Sequence, residues 1–328
     1  MRIVSLLPSA TEICFALGLG DELVGVTHEC DYPAAALAKP KVTASSANNG
    51  LSSREIDELV RSQLDNSCSI YTLDEAKLEE LKPDLILTQR LCTVCAVSID
   101  TVREVAGRIS SKPRVENLEP KNMAEVFETF RRIARISGKM NSASGKIVAL
   151  EERLKHVRKL TKGKDKPRVL ILEWIDPPFA SGHWIPELVE IAGGENTMAY
   201  KWEHSREISW NDVREAGADI LISAACGFGI SRQKKEAEII FAQLGLSGLS
   251  GETIGGPKVW ICDGSQYFSR PGPRLVDTAE ILALIMHPEL GVEYGKKFNK
   301  SDFEHIDYGT TAKHIITARH DRRTARAE

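Results

Sequence analysis

Residues 1–33 read MRIVSLLPSATEICFALGLGDELVGVTHECDYP, and this stretch decides the fold class. Arg2-Ile3-Val4-Ser5-Leu6-Leu7 is apolar at most positions, as a strand covered on both faces should be. Pro8 interrupts it. Ser9-Ala10-Thr11-Glu12 then has the spacing of a capping box, in which the Ser9 hydroxyl takes the Glu12 amide and the Glu12 carboxylate takes the Ser9 amide. Ile13, Phe15, Ala16 and Leu17 supply an apolar helix face, which Gly18 or Gly20 ends. Leu23-Val24-Gly25-Val26-Thr27 is a second strand. The turn His28 to Pro33 therefore lies past a strand's carboxyl end, where open α/β sheets place their ligands.

Outward from this start, the strand–helix alternation continues. Leu85–Thr88 and Arg114–Leu118 read as strands, with helices over Arg54–Ser62, Asp74–Leu81 and Ile99–Ile109. From Pro120 to about Leu160, Met123, Val126, Phe127, Phe130 and Ile133 keep a helical period, which resumes after Gly138. A second sheet pattern restarts at Arg168–Trp174 and continues with Asp219–Ser223 and Lys258–Cys262. Pro186–Ala192, Trp210–Ala216 (capped by Ser209) and a segment opened by Pro273 read as helices. These elements predict an N-terminal α/β lobe over 1–119, a helical connector over 120–165, a C-terminal α/β lobe over 166–290, and a polar, disordered tail over 291–328. The fold class expected is α/β, two lobes each with a mainly parallel sheet, joined by a long helix.

A chain of 328 residues has room for two domains, each with its own core. Its 42% apolar and 27% charged residues are those of a globular protein. A net charge of −3 gives no reason to expect nucleic acid or an anionic membrane as partner. No window has the length of apolar sequence that a membrane span needs. The first residues carry no apolar leader with a cleavage site, which predicts a cytoplasmic protein. Seven cysteines, an odd number, agree with a reducing compartment.

The motifs S-x-x-P-S-x-T-E, L-G-x-G-D-x-L-V-G-V and D-Y-P within residues 5–33 resemble the opening of the periplasmic binding proteins for cobalamin and ferric siderophores. In that family a long helix joins two lobes, the helical-backbone metal-receptor architecture. The resemblance extends to about residue 290. It implies a ligand-binding protein for a corrinoid, cobalamin-like, or for another metal chelate, held in the cleft between the lobes. It also implies delivery to an ABC transporter if the chain is exported. Cytoplasmic placement instead favours storage, delivery or sensing. On this reading Tyr32, Trp184 and Phe268 stack on the ligand, Asp31 and Arg270 fix its polar periphery, and His183 is a further contact or axial base.

Cys92-Thr93-Val94-Cys95 is the sharpest local signal. Two thiolates at this spacing can hold part of a metal or cluster site, and Cys30 with His28 follows a different strand of the same sheet. Zinc or an iron–sulfur cluster on Cys30, Cys92, Cys95 and His28 is one reading. A redox dithiol and buried structural thiols are the others. The first would make the chain an enzyme or metallochaperone on the same scaffold. No nucleophile elbow, phosphate loop, dinucleotide fingerprint or H-E-x-x-H is present, which favours a binding protein over an enzyme.

Overall fold

The structure, a computed structural model, describes residues 1–45, 50–65, 71–89, 97–246 and 256–306. The chain forms two compact units. Unit 1 comprises Met1–His156 and Arg270–Val276, and unit 2 comprises Val157–Ser269 and the chain from Asp277 onward.

Unit 1 begins with β1 (Ile3–Ser5), α1 (Pro8–Ala16), β2 (Leu23–Val26), β3 (Thr43–Ser45), α2 (Ser53–Asp65) and β4 (Tyr71–Leu73). α3 (Glu75–Leu81), β5 (Leu85–Thr88), α4 (Ile99–Arg108), β6 (Arg114–Asn117) and α5 (Met123–Ser137) follow. The main sheet is parallel throughout, in the order β2-β1-β5-β6. β1 and β5 are buried along their length, as the unbroken apolar runs require. Val4, Leu6, Leu78, Ile86, Val102 and Val105 pack one face of that sheet. β3 and β4 form a separate antiparallel pair, too short to have shown as a sequence period.

α1 departs from the sequence reading. Pro8 does not end the strand region so much as open the helix, in its first turn, where its missing N–H costs nothing. Leu7 is the N-cap residue and no side chain caps it, so Ser9 and Glu12 do not form a capping box. Glu12 is used elsewhere.

α5 ends at Gly138, whose φ of 73° is the left-handed closure glycine allows. The next helix, α6 (Met140–Thr161), starts in unit 1 and ends in unit 2, carrying the chain from one to the other.

Unit 2 is built on β7 (Arg168–Trp174). β8 (Phe179–Ala180) pairs antiparallel with its second half. β9 (Gly182–His183), α7 (Ile185–Ile191), β10 (Glu195–Asn196), β11 (Tyr200–Lys201), β12 (Arg206–Glu207) and α8 (Trp210–Glu215) follow. β13 (Ile220–Ser223), α9 (Ile230–Gln243), β14 (Lys258–Cys262) and α10 (Leu275–Met286) complete the expected pattern. β7, β13 and β14 are parallel neighbours, and β10 lies parallel to the first half of β7. Ser209 caps α8 with a full capping box to Asp212.

The polar composition after Leu290 led us to expect disorder from Gly291, but residues 291–306 are ordered. α11 (Gly291–Tyr294) and β15 (Phe303–His305) are regular, and β15 pairs antiparallel with β14. The exposed edge of β14 is what draws it in: the Trp260 ring lies 5.8 Å from Phe303 and 5.1 Å from His305. No described helix is long and apolar enough to cross a membrane.

Candidate functional site

In unit 1, two loops at the sheet's carboxyl edge meet a segment from far along the chain. One is the stretch from β1 into α1, which carries Glu12. The other is the turn after β2, closed by the Cys30 amide donating to Thr27 O at 3.1 Å. The distant segment is Arg270–Val276, and Gly272 lies against Ser9 and Glu12 closely enough that a Cβ there would stand 3.5 Å from Ser9 O.

Glu12 is 2% exposed and receives a fork from Arg274, with Nη2 to Oε1 at 2.6 Å and Nε to Oε2 at 3.0 Å. Arg270 Nη1 reaches the same carboxylate at 3.4 Å. The two Arg270 nitrogens also hold Asp31, at 2.5 Å and 3.3 Å, and Nη2 donates to Glu29 O at 3.3 Å. Two acids and two guanidiniums thus form one network of zero formal charge, which suits its burial. Burial pushes the Glu12 carboxyl above its ordinary value, against the two arginines pulling it down. Asp31 is half-buried. Burial opposes its ionisation, but the Arg270 hydrogen bond and charge, with Arg274, carry its carboxyl below the usual range.

Tyr32 stands on this network. The Arg274 guanidinium lies over its ring at 4.3 Å from the centroid, and the side chain is nevertheless 47% exposed. One ring face is therefore held by a cation and the rest is open.

The sequence reading brought Asp31, Tyr32 and Arg270 together, and the structure does so too. It placed Arg270 in the second lobe, however, whereas Arg270 packs in unit 1 and is already bound to Asp31. Glu12 and Arg274 were missed. A signal existed: Glu12 is the single charge in the otherwise uncharged helix PSATEICFA, and Arg270 and Arg274 frame a P-G-P turn.

His28 and Cys30 share the same turn. The Cys30 sulfur is buried, lies 3.1 Å from Thr11 Oγ1, and its thiol is pushed up by burial to about 11. It is a protonated core thiol, and burial likewise raises Cys14 and Cys262. His28 Nδ1 lies 2.8 Å from Thr43 Oγ1. Cys92 and Cys95 lie outside the described residues. Among the described residues no group of three or more His, Cys, Asp or Glu side chains is arranged to hold a metal ion, so the zinc or iron–sulfur reading finds no support here.

In unit 2, Trp184 and Phe268 are 4% and 2% exposed, and Trp184 Nε1 donates to Phe268 O at 2.9 Å. Their burial corrects the expectation of open stacking faces: these rings fasten the start of α7 to the Gly264–Phe268 turn. His183 takes φ 50° in β9, with its ring 5.3 Å from Trp184 and 4.9 Å from His204. Nearby on β7, Glu173 Oε1 accepts the Gly182 amide at 3.1 Å. Burial pushes its carboxyl up to about 7, opposed by hydrogen bonds from Gly182 and Ser205.

The family profile described as "Periplasmic binding protein" matches residues 3–249. A vitamin B12-binding protein of Vibrio cholerae serotype O1 is 24% identical over 284 residues, which is 85% of this chain and 86% of that one. An uncharacterized ABC transporter substrate-binding lipoprotein of Bacillus subtilis is 23% identical over 294 residues, covering 88% of this chain and 80% of that one. Among solved structures, a periplasmic heme binding protein from Pseudomonas aeruginosa superposes with a TM-score of 0.64 at 17% identity, covering 88% of this chain and 92% of that one. These findings overturn the cytoplasmic expectation. That expectation rested on where the sequence begins, whereas the relatives include a lipoprotein and a periplasmic protein, and they point outside the cytoplasm.

Proposed function

The chain belongs to the periplasmic binding protein family, and from that premise we propose that it is an extracytoplasmic receptor for a corrinoid of the cobalamin type, which it hands to an ABC transporter. The observation that carries this reading is Tyr32, a half-exposed ring whose orientation is fixed from behind by Arg274 and, through it, by Glu12. A flat ligand gains most from an aromatic face that is already ordered, because little side-chain freedom is then lost on binding. Asp31 refines the choice among planar chelates. Its carboxylate is held ionised by Arg270 and keeps an exposed edge. Such an edge accepts hydrogen bonds from the carboxamides that ring a corrinoid and repels the carboxylates of a porphyrin. The vitamin B12-binding relative supports the same class.

Calorimetric titration with cyanocobalamin tests this. We expect a dissociation constant of about 1 μM or below, near −8 kcal/mol. Tyr32→Ala should weaken binding about tenfold, the size of one lost aromatic stacking contact. No heat and no spectral change at corrinoid about a hundredfold above that constant would overturn the proposal.

A further inference from the structure

The loop that carries Asp31 and Tyr32 has little backbone bonding of its own. Its stems are fixed. The Val26 amide donates to Pro40 O at 2.9 Å, the Val42 amide to Val26 O at 3.0 Å, and Thr43 Oγ1 to Thr27 Oγ1 at 2.8 Å. Between the stems, the Cys30 amide donates to Thr27 O and the Ala36 amide to Pro33 O. Among the described residues no backbone amide donates to Cys30 O, and the amides of Asp31 and Tyr32 donate to no backbone carbonyl. Asp31, Tyr32, Ala34 and Ala35 are exposed. A run of this kind, open to water and outside any helix or sheet, is held only by what reaches it from elsewhere.

Two cations reach it. Lys41 Nζ donates to Cys30 O at 2.9 Å and to Ala36 O at 3.2 Å. These carbonyls bracket Asp31 to Ala35, so one ammonium closes the loop at its neck. On the preceding residue, Glu29 O accepts from Arg270 Nη2 at 3.3 Å. Lys41 is itself anchored, because its backbone bridges Val26 of β2 in parallel. Among the described residues no carboxylate pairs with it. An ammonium carries three donors on a long stem and so can span two carbonyls at once. Bonds from a charged donor are also roughly twice as strong as neutral ones. The Arg274 guanidinium supports the Tyr32 ring from behind, at 4.3 Å from the centroid, but the backbone bearing that ring hangs between the two carbonyls that Lys41 holds.

We propose that Lys41 is a positioning residue of the ligand site: by clasping Cys30 O and Ala36 O it fixes the backbone that presents the Tyr32 ring, so the ring is ordered before the ligand arrives. The inference rests on the corrinoid-receptor reading above. Without the clasp, the ring has to be ordered at the moment of binding, and that cost is read as lost affinity.

A double-mutant cycle in cyanocobalamin affinity tests it. Lys41→Met keeps the apolar stem and removes the donors. We expect it to weaken binding about tenfold, the scale of ordering one side chain with its backbone. In a Tyr32→Ala background the same change should cost less than about threefold, because the ring that Lys41 positions is already gone. Lys41→Arg restores a charged group with several donors and should return the affinity to within about threefold of wild type. Cyanocobalamin carries no net charge, so a lost long-range attraction does not imitate this pattern. Circular dichroism during urea titration confirms that each variant is folded, as the independently held stems lead us to expect. Should Lys41→Met fail that check, Lys41→Gln goes through the same cycle. Affinity within about twofold of wild type in the folded Lys41→Met protein would make Lys41 a structural tie alone and overturn the proposal. Equal losses with and without Tyr32 would overturn it as well, since the effect would not run through the ring. Both results leave the receptor reading standing. A wild type that binds no cyanocobalamin would overturn the receptor reading itself, and this inference with it.

Discussion

Glu173 sits on β7 with its Oε1 on the Gly182 amide, and burial holds its carboxyl near 7 rather than at 4.5. The sign of the consequence follows from proton counting. Between about 4.5 and about 7 the folded chain keeps a proton that the unfolded chain has lost, so stability is fullest below 4.5, falls as pH rises, and levels off above 7. The full effect is at most about 3 kcal/mol. Glu173→Gln mimics the protonated form and keeps an acceptor for Gly182. We expect urea midpoints to fall more between about pH 4.5 and 8 in the wild type than in Glu173→Gln. A decline of equal size in both would show that Glu173 is not the group responsible. Legibility at this scale was uneven. Asp31 and Tyr32 were readable together, because residues just past a buried strand fall at the ligand edge of such a sheet, whereas Arg270 was assigned to the second lobe. Glu12 was misread, because a local rule offered it the Ser9 amide three residues away, and its true partners lie 258 and 262 residues along the chain. Trp184 and Phe268 were misread for another reason. An aromatic residue in a loop looks the same in sequence whether its ring is open or, as here, buried against a neighbour.

Elements were easier to read than contacts. Leu85–Thr88, Arg168–Trp174 and Lys258–Cys262 have the bounds their sequence gave, since each is centred on a run of buried apolar residues. The short strands β3, β4, β8 to β12 and β15 were invisible, because a period of two cannot register in so few positions. The Gly264–Phe268 turn was also beyond sequence reading, although it fixes where Phe268 lies. Asp263 caps it by accepting the Gln266 amide at 2.8 Å, and the Gly264 amide donates to Phe228 O at 3.0 Å. A Cβ on Gly264 would fall on the carbonyl oxygens of Ala224 and Ala225, just past β13. Those oxygens belong to backbone and cannot swing aside. We expect Gly264→Ala to cost about 2–3 kcal/mol in urea unfolding, the scale of overpacking. Ser209→Ala, which removes one side of a capping box on an exposed helix start, should cost only about 1 kcal/mol. If Gly264→Ala proved the milder of the two, the close approach of this turn to the end of β13 would be refuted.

At the scale of the whole molecule, the chain passes from unit 1 to unit 2 through α6 and then returns, for the seven residues Arg270–Val276, to unit 1. Sequence order assigns those residues to the second lobe, and no local pattern announces such a return, because what anchors it is Glu12 at the other end of the chain. Unit 1 therefore draws part of its stability from beyond its continuous stretch. Glu12→Gln in the intact protein takes the Glu12 carboxylate from buried Arg274 and leaves buried Arg270 with Asp31. We expect a loss of about 3–5 kcal/mol, the usual effect of breaking a buried ion pair from one side. That is a large share of a domain's margin of about 5–15 kcal/mol. The same change in an Arg270→Gln/Arg274→Gln background should cost under about 1 kcal/mol, because the partners are already gone and the losses do not add. The fragment Met1–His156 lacks both arginines and should behave like that background, with a lower urea midpoint for unit 1 than the intact chain shows and little response to Glu12→Gln. Circular dichroism during urea titration reads each of these proteins. Additive losses in the intact chain, or a fragment as stable as unit 1 in the intact protein, would mean that the returning segment merely rests on α1 and does not hold it.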